Sequence, residues 1–600
     1  MHEDATGKIG TIDVRLAPRK VDVQRYERRY VPVTPASHEI VGANAKVAPD
    51  TTVAEWHINN WSAGEGDLRW QDRDRYNESD GVGPTSDGSG LVVNAHVEQI
   101  NDTGGATVME DAKVLTRGDL GLYTADDMAG KLFVFDDSAS EWDELTDIGG
   151  TGTDDIESMA AIGSYVYVAE TGTTGDLRQV NTALLSNTKH YDSLGSNSVV
   201  IYGDILYSLL SGASDLWKID QSSTDTKTAV VDVTGGDAPN GDMVKRMTTS
   251  DVGPVWISRD YEGTSYIWEY NQADDTGYIV GELPRDVYPY DIEFHMGIYF
   301  VAFRYATEHD QSGDAWLYFQ VGGQNGVAGP IRSTTGTTAS KPVAIAGAIG
   351  DRLYLYFDTE LWAYDLSTGG ISMAARALSE PTAITTYGSD IHLVTGTTAF
   401  RVNTALFDTA AGAELTTGRY DFGYLGLNKT LAKVTVTVED PLATSETVGV
   451  EYSVDGATFV ALTGTMVATE TTKTWIVSNK TTTVRGIDVE FKVKLKANTT
   501  ASSPKVISLT AEAVGSESRL EWILLLDVSD NNEQHGHVTV DGLKALKTSH
   551  AVVEFGDPWQ VLPHVATETF DVTVEEVNLP DIMPGADPVA VVRLRAVATV

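Results

Sequence analysis

The sequence predicts an all-β fold: a seven-bladed β-propeller followed by β-sandwich modules, with an N-terminal extended arm and β region. Three observations predict it. A short apolar or aromatic strand that stops at a turn-forming Asp or Asn recurs, as Lys131-Leu-Phe-Val-Phe-Asp136, Asp215-Leu-Trp-Lys-Ile-Asp220, Ser265-Tyr-Ile-Trp-Glu-Tyr-Asn271 and Glu360-Leu-Trp-Ala-Tyr-Asp365. Asp176-Leu-Arg-Gln-Val-Asn181, Ala315-Trp-Leu-Tyr-Phe-Gln320 and Thr398-Ala-Phe-Arg-Val-Asn403 complete a series of seven. Their spacing of about 38 to 50 residues falls in or near the range of propeller blades. A glycine turn leading into an alternating strand precedes each copy, at Gly118, Gly163, Gly203, Gly253, Gly297, Gly350 and Gly388. Beyond residue 412 the apolar pattern changes to a strict period of two.

Residues 1–105 precede the repeats and hold a basic, aromatic stretch from Arg15 to Tyr30. Arg19, Lys20, Arg25, Arg28 and Arg29 cluster there in an otherwise acidic chain, so this arm is the expected assembly contact, docking onto an acidic partner; the competing reading is a solvated strand face. Residues 106–412 form the propeller. Radial packing buries the faces of each four-stranded sheet against its neighbours and leaves only short, protected edges. Trp217, Trp268, Trp316 and Trp362 are expected to fill the wedges between blades. A pair of β-sandwiches with coincidental aromatics is the competing reading, but it does not account for a two-part repeat that keeps its order.

Residues 413–515 read as a β-sandwich, with strands at Thr430, Val448, Val484 and Lys505 and a hairpin turn at Asp455-Gly456. Residues 516–600 form a last β module that opens with Leu520-Glu-Trp-Ile-Leu-Leu-Leu-Asp527, and its final apolar run reaches Val600. Helical periodicity is almost absent.

The composition excludes several classes. With no cysteine among 600 residues, disulfides, thiolate metal sites and a cysteine nucleophile are ruled out. The 43 Lys and Arg against 86 Asp and Glu give a net charge of −43, a field that repels nucleic acid and anionic surfaces. The longest apolar runs are of strand length, so no membrane insertion is expected. The opening Met1-His-Glu-Asp has neither a basic nor an apolar leader segment, which predicts synthesis in the cytoplasm without a secretory signal.

Motifs for chemistry are sparse. The chain has no GxSxG, Walker loop, HExxH or dinucleotide fingerprint, and no catalytic residue or cofactor is assigned from it. Two groups are metal candidates. His535 and His537 would share one strand face, without a signalled third ligand. Asp527, Asp530 and Glu533 lie in an oxygen-rich run suited to Ca2+, but the glycine of an EF-hand loop is missing. Ser453-Val-Asp-Gly-Ala-Thr-Phe459 is similar to the Asp-box turn of sialidases; it occurs once and outside the propeller, which favours a plain hairpin. The sequons at Asn60, Asn77, Asn101, Asn428, Asn479 and Asn498 follow from a Thr-rich composition.

The order of modules resembles that of minor tail proteins of long-tailed viruses of bacteria and archaea. The resemblance rests on the Trp56/Trp61 block with its Gly-Glu-Gly and Arg-Tyr-Asn elements, the propeller, the sandwich carrying Tyr452-Ser-Val-Asp-Gly456, and the closing Trp522/Asp527 module. It implies a non-enzymatic virion component at or near the distal tail, partnered by other tail proteins and by a host-cell surface glycan or glycoprotein. It also implies a homotrimer or a threefold-compatible assembly. The expected receptor contacts are two inserts in the propeller, Asp237, Asn240 and Asp242 in one, and Glu308, Asp310 and Asp314 in the other. The acid excess then reads either as an acidic virion surface or as adaptation to a saline setting. Two other classes compete: a glycan-cleaving enzyme with carboxylates in the propeller funnel, and a cell-surface adhesin.

Overall fold

A computed structural model describes residues 6–9, 11–15, 26–32, 53–66, 75–100, 109–148, 155–170, 175–191, 196–210, 215–222, 224, 226–232, 246–259, 263–305, 314–331, 343–376, 378–410, 412–422, 428–478, 483–515, 518–528, 536–549, 551–557, 568–578 and 589–596. Seven sets of four antiparallel strands follow one another as blades 1 to 7, six of them separate sheets and that of blade 6 the beginning of a ten-stranded sheet. Six are continuous in sequence, at 112–147, 156–191, 196–232, 248–282, 287–331 and 343–375. The seventh takes three strands from 383–407 and its outermost strand, Ala95–Ile100, from the far side of the ring in sequence. The first strand of each blade packs on the first strand of the next, and that of blade 7 returns to Ala112–Gly118 of blade 1. The chain therefore forms a closed seven-bladed β-propeller.

The recurring strand is the third of each blade, and its sequence is explained by two local features. The chain bulges where this strand pairs with the fourth, between Leu132 and Phe133, Leu177 and Arg178, Leu216 and Trp217, Ile267 and Trp268, and Leu361 and Trp362. In each pair the residue before the bulge is completely buried. The aliphatic residue is thus the constant wedge-filler, not the tryptophan expected there. Of the four expected, only Trp362 is buried; Trp217, Trp268 and Trp316 are half-buried at the margins of their clusters.

The terminal Asp or Asn closes the turn to the fourth strand. Its side-chain oxygen accepts the backbone N–H two residues on, as Asp136 does from Ser138, Asn181 from Ala183, Asp220 from Ser222, Asn271 from Ala273 and Asp365 from Ser367; in blade 7 Asn403 accepts from Ala405 in the same way, but within the strand Ala399–Phe407, where the pairing with Ala95–Ile100 shifts register. Blade 5 carries Gln320 there and turns on Gly322-Gly323 instead.

The modules around the ring are nested, not consecutive. Strands Val53–Ile58, Arg75–Asp80 and Leu91–Val93, which precede the ring, pair with strands from 413–515 to make the sandwich, and Val82–Pro84 adds to it through Leu91–Val93. Trp56 stacks on Phe491 and packs on Tyr420 in its core, where Trp61 is also fully buried. Outside this lies a seven-stranded sheet in which Thr6–Ile9, Ile12–Arg15 and Tyr26–Pro32 join four strands of the last module. The predicted boundary at 105 is accordingly corrected. The N-terminal segment is no separate region; it supplies strands to all three bodies, because each needs a partner strand that local sequence does not provide.

The outer module also holds the α-helix Gly536–Ser549, where only strands were expected. Val540 and Leu543 are buried at helical spacing, and Leu546 packs against the same core. No helix among the described residues is long and apolar enough to cross a membrane.

Candidate functional site

Two faces of the ring differ in construction. On one, the first strand of each blade turns tightly into the second and, in blades 1 to 6, the third into the fourth; glycines at positive φ make the former turns at Gly163, Gly203, Gly297, Gly350 and Gly388. The other face receives the connections from second to third strand and from blade to blade. The strands that lead into the two inserts expected to touch a receptor, Lys227–Asp232 and Ile298–Tyr305, end on this second face. Asp237, Asn240, Asp242, Glu308 and Asp310 lie outside the described residues. Asp314 is half-buried beside the strand Ala315–Val321 and has an interaction partner.

The sandwich meets the ring at the rim of blades 6 and 7. The outer strand of blade 6 continues into the sandwich through the pairing of Ile371 with Gly64. Arg352 donates to the carbonyls of Pro84 and Thr85, and Arg376 pairs with Asp80 at 2.6 Å. Blades 3 and 4 lie across the ring from this attachment.

Inner strands are held together by polar residues that follow a bulge. Ser158 Oγ accepts from Val199 N at 3.0 Å, Ser198 Oγ from Met247 N at 2.8 Å, and Asp291 Oδ2 from Ile345 N at 2.8 Å, each reaching the next blade. Asp291 also accepts from Arg246 Nη1 at 3.0 Å, while Arg246 Nη2 pairs with Glu293 at 3.1 Å and Nη1 donates to Ile345 O at 2.7 Å. Arg246 thus runs from blade 4 to the inner strands of blades 5 and 6, the strands that line the central channel of a propeller. Burial pushes the Glu293 carboxyl above its usual range, against the pull of Arg246 and with a contribution from Asp291. The sequence pattern did not single out this group, because its members are close only through the ring.

On the tight-turn face a groove of about 450 Å3 separates blades 3 and 4, lined by Tyr202, Asp251, Val252, Asn271, Gln272 and Ala273. Tyr202 Oη donates to Asp251 O at 2.6 Å, closing one wall on the other.

The remaining predicted residues are not brought into a site. Arg28 and Arg29 are in the strand Tyr26–Pro32, paired with Trp522 and Glu521 of the chain's own outer sheet; Arg19, Lys20 and Arg25 lie outside the described residues. His537 is in the helix, which overturns the shared strand face proposed for it with His535; its backbone takes helical spacing after Gly536. Asp527 ends the strand Ser518–Asp527, and Asp530, Glu533 and His535 are outside the described residues. Among the described residues no group of three or more His, Asp or Glu is arranged to hold a metal ion. Asp455 and Gly456 form a turn at positive φ after Thr447–Val454, and Asp455 Oδ1 accepts from Ile487 N and Asp488 N.

No family model and no curated protein matches the chain. Among solved structures it is similar to the β-propeller domain of Myceliophteria thermophila Cps50 (Swd1), at 8% identity and a TM-score of 0.37, over 51% of this chain and 99% of that one. It is similar to YCF48 bound to D1 peptide at 11% identity and a TM-score of 0.39, over 52% and 95%. A computationally designed protein, Ika8, matches at 13% identity and a TM-score of 0.35, over 51% and 99%.

Proposed function

We propose that the chain is a structural and recognition protein of a viral tail, in which the propeller is a binding head and the outer modules are built into the particle. The observation that carries this reading is the nesting. The ring is an excursion from the sandwich, and the sandwich an excursion from the outer sheet, so both ends of the described chain lie in one module and the ring is the part held farthest from them in sequence. The sheet shared by blade 6 and the sandwich couples the head to its mount by more than a flexible linker.

Attachment would come from many copies on one particle. Weak contacts to a cell-surface glycan or glycoprotein gain by effective concentration once several are engaged together. A threefold-compatible assembly through the outer module belongs to the same proposal. The test is direct: purified particles should contain the protein at the tail end, and an excess of the isolated chain should block attachment to host cells. Particles that lack the protein overturn the reading.

A second reading has one observation in its favour. Asp291 and Glu293 meet on one guanidinium in the channel, and the raised pKa of Glu293 is of the kind a general acid needs. A glycan-cleaving enzyme would release reducing ends from host envelope glycan, and Glu293→Gln would abolish that release.

A further inference from the structure

We infer that the groove between blades 3 and 4 binds one uncharged hexopyranose unit of a glycan. The inference rests on the recognition reading above and places the contact on the tight-turn face, opposite the long connections that sequence alone favoured.

The groove is built before any ligand arrives. Besides the bond from Tyr202 to Asp251 O, Gln272 N donates to Val252 O at 3.1 Å, and Ala273 N donates to Asn271 Oδ1 at 2.9 Å. The turn beneath is fixed by Ser250, whose Oγ donates to Gly253 O at 3.1 Å. A Cβ at Gly253 would lie 1.9 Å from Tyr270 O, so the two turns that form the groove approach each other as closely as glycine permits. Two interlocked turns therefore hold the walls, and a ligand need not order them.

The chemistry of the walls selects the ligand. The Asp251 carboxylate and the Gln272 side-chain amide have no hydrogen-bond partner among the described residues. Together they offer acceptors and donors for adjacent hydroxyls. The half-buried Tyr202 and the exposed Val252 and Ala273 add apolar surface suited to the C–H face of a pyranose. The groove, of about 450 Å3, is open to solvent, so a sugar ring would rest against its walls by one face and leave the other exposed. The Asp251 charge, within a chain of net charge −43, disfavours sialic acids, uronic acids and phosphorylated sugars. Lying across the ring from the sandwich, the groove is placed to reach a cell-surface chain.

The test is saturation-transfer NMR on the full chain with methyl glycosides of glucose, galactose and mannose, and with sialic and glucuronic acids as charged probes. At least one neutral glycoside should bind, and Asp251→Ala and Gln272→Ala should each weaken it at least tenfold. Ala273→Trp, an exposed substitution that fills the groove, should abolish it, with unfolding transitions confirming that each variant is folded. Binding of charged sugars alone, binding of none, or binding retained in all three variants overturns the inference. A cell-attachment assay separates the two levels: variants that attach as well as the wild type sink the groove and leave the recognition reading standing, whereas a wild type that does not attach removes the reading itself.

Discussion

Arg401 Nη2 donates to Glu98 Oε2 at 2.7 Å, tying the third strand of blade 7 to a strand more than three hundred residues away in sequence. The same guanidinium faces Asp137 of blade 1 at 3.5 Å and Asp390 at 3.9 Å, so one side chain spans the place where the ring closes. Burial raises the Asp390 carboxyl, and Arg401 opposes the rise.

Removing this clasp should loosen the ring. With Arg401 only 12% exposed, Arg401→Ala leaves three carboxylates facing one another and should cost about 1–3 kcal/mol. Glu98→Gln keeps a hydrogen-bond acceptor and should cost less. Chemical denaturation of both variants checks the order; equal stabilities would show that closure does not depend on the ion pair.

His392 makes stability depend on pH in a predictable direction. It is 1% exposed, edge-on to Phe135, and pairs across strands with Arg401. Burial, with the Arg401 charge, holds its pKa down to about 3. The unfolded chain takes up this proton near pH 6.5 and the folded chain does not, so the contribution of His392 is complete above pH 6.5 and is lost as pH falls towards about 3. The slope is about 1.4 kcal/mol per pH unit. In His392→Phe the difference from wild type should shrink across that window; an unchanged pH profile would contradict the assignment.

The turn aspartates should be individually measurable. Asp365 Oδ1 accepts from Ser367 N, Ser367 Oγ and Thr368 N, and these hydrogen bonds hold its pKa low despite partial burial. Asp365→Ala should cost about 1–2 kcal/mol and Asp365→Asn less than half of that. Thermal melts distinguish them.

Net charge predicts a response to salt. With 86 acids against 43 bases, self-repulsion outweighs the exposed ion pairs, so Tm should rise as KCl goes from low to molar concentration and the Debye length shrinks to about 3 Å. A flat or falling Tm would show that the ion pairs dominate.

What could be read from the sequence was whatever is decided locally. The phrase Asp215-Leu-Trp-Lys-Ile-Asp220 announces a strand, a bulge and a turn because Leu216, Trp217 and Asp220 act within a few residues of one another. Ala95–Ile100 is as much a part of blade 7, yet its partners are Ala399–Phe407, and nothing in its own pattern points so far along the chain. The helix was missed for another reason. Val538, Thr539 and Val540 are β-branched and Gly542 interrupts them, while the signal that mattered, Val540 with Leu543 and Leu546, is only two turns long. The channel group of Arg246, Asp291 and Glu293 joins blades 4, 5 and 6, so it becomes visible only once the ring is closed.

Nesting makes the ring separable, and the point of cutting decides the outcome. A fragment of residues 95–410 contains every strand of the seven blades, including the one that completes blade 7. A fragment of residues 106–412, cut where the repeats begin, lacks Ala95–Ile100. That loss leaves the Ala399–Phe407 edge unpaired, removes Glu98 from among the partners of Arg401 and takes Ile100 out of a cluster in which it is 3% exposed beside Trp142 and Val394. A strand's worth of backbone hydrogen bonds and buried surface is comparable to the whole stability of a domain, about 5–15 kcal/mol. The longer fragment should therefore unfold cooperatively as a soluble ring, and the shorter one should aggregate or show no cooperative transition. If both melt alike, the returning strand is dispensable, and ring closure must reside in the contacts between the first strands of blades 7 and 1.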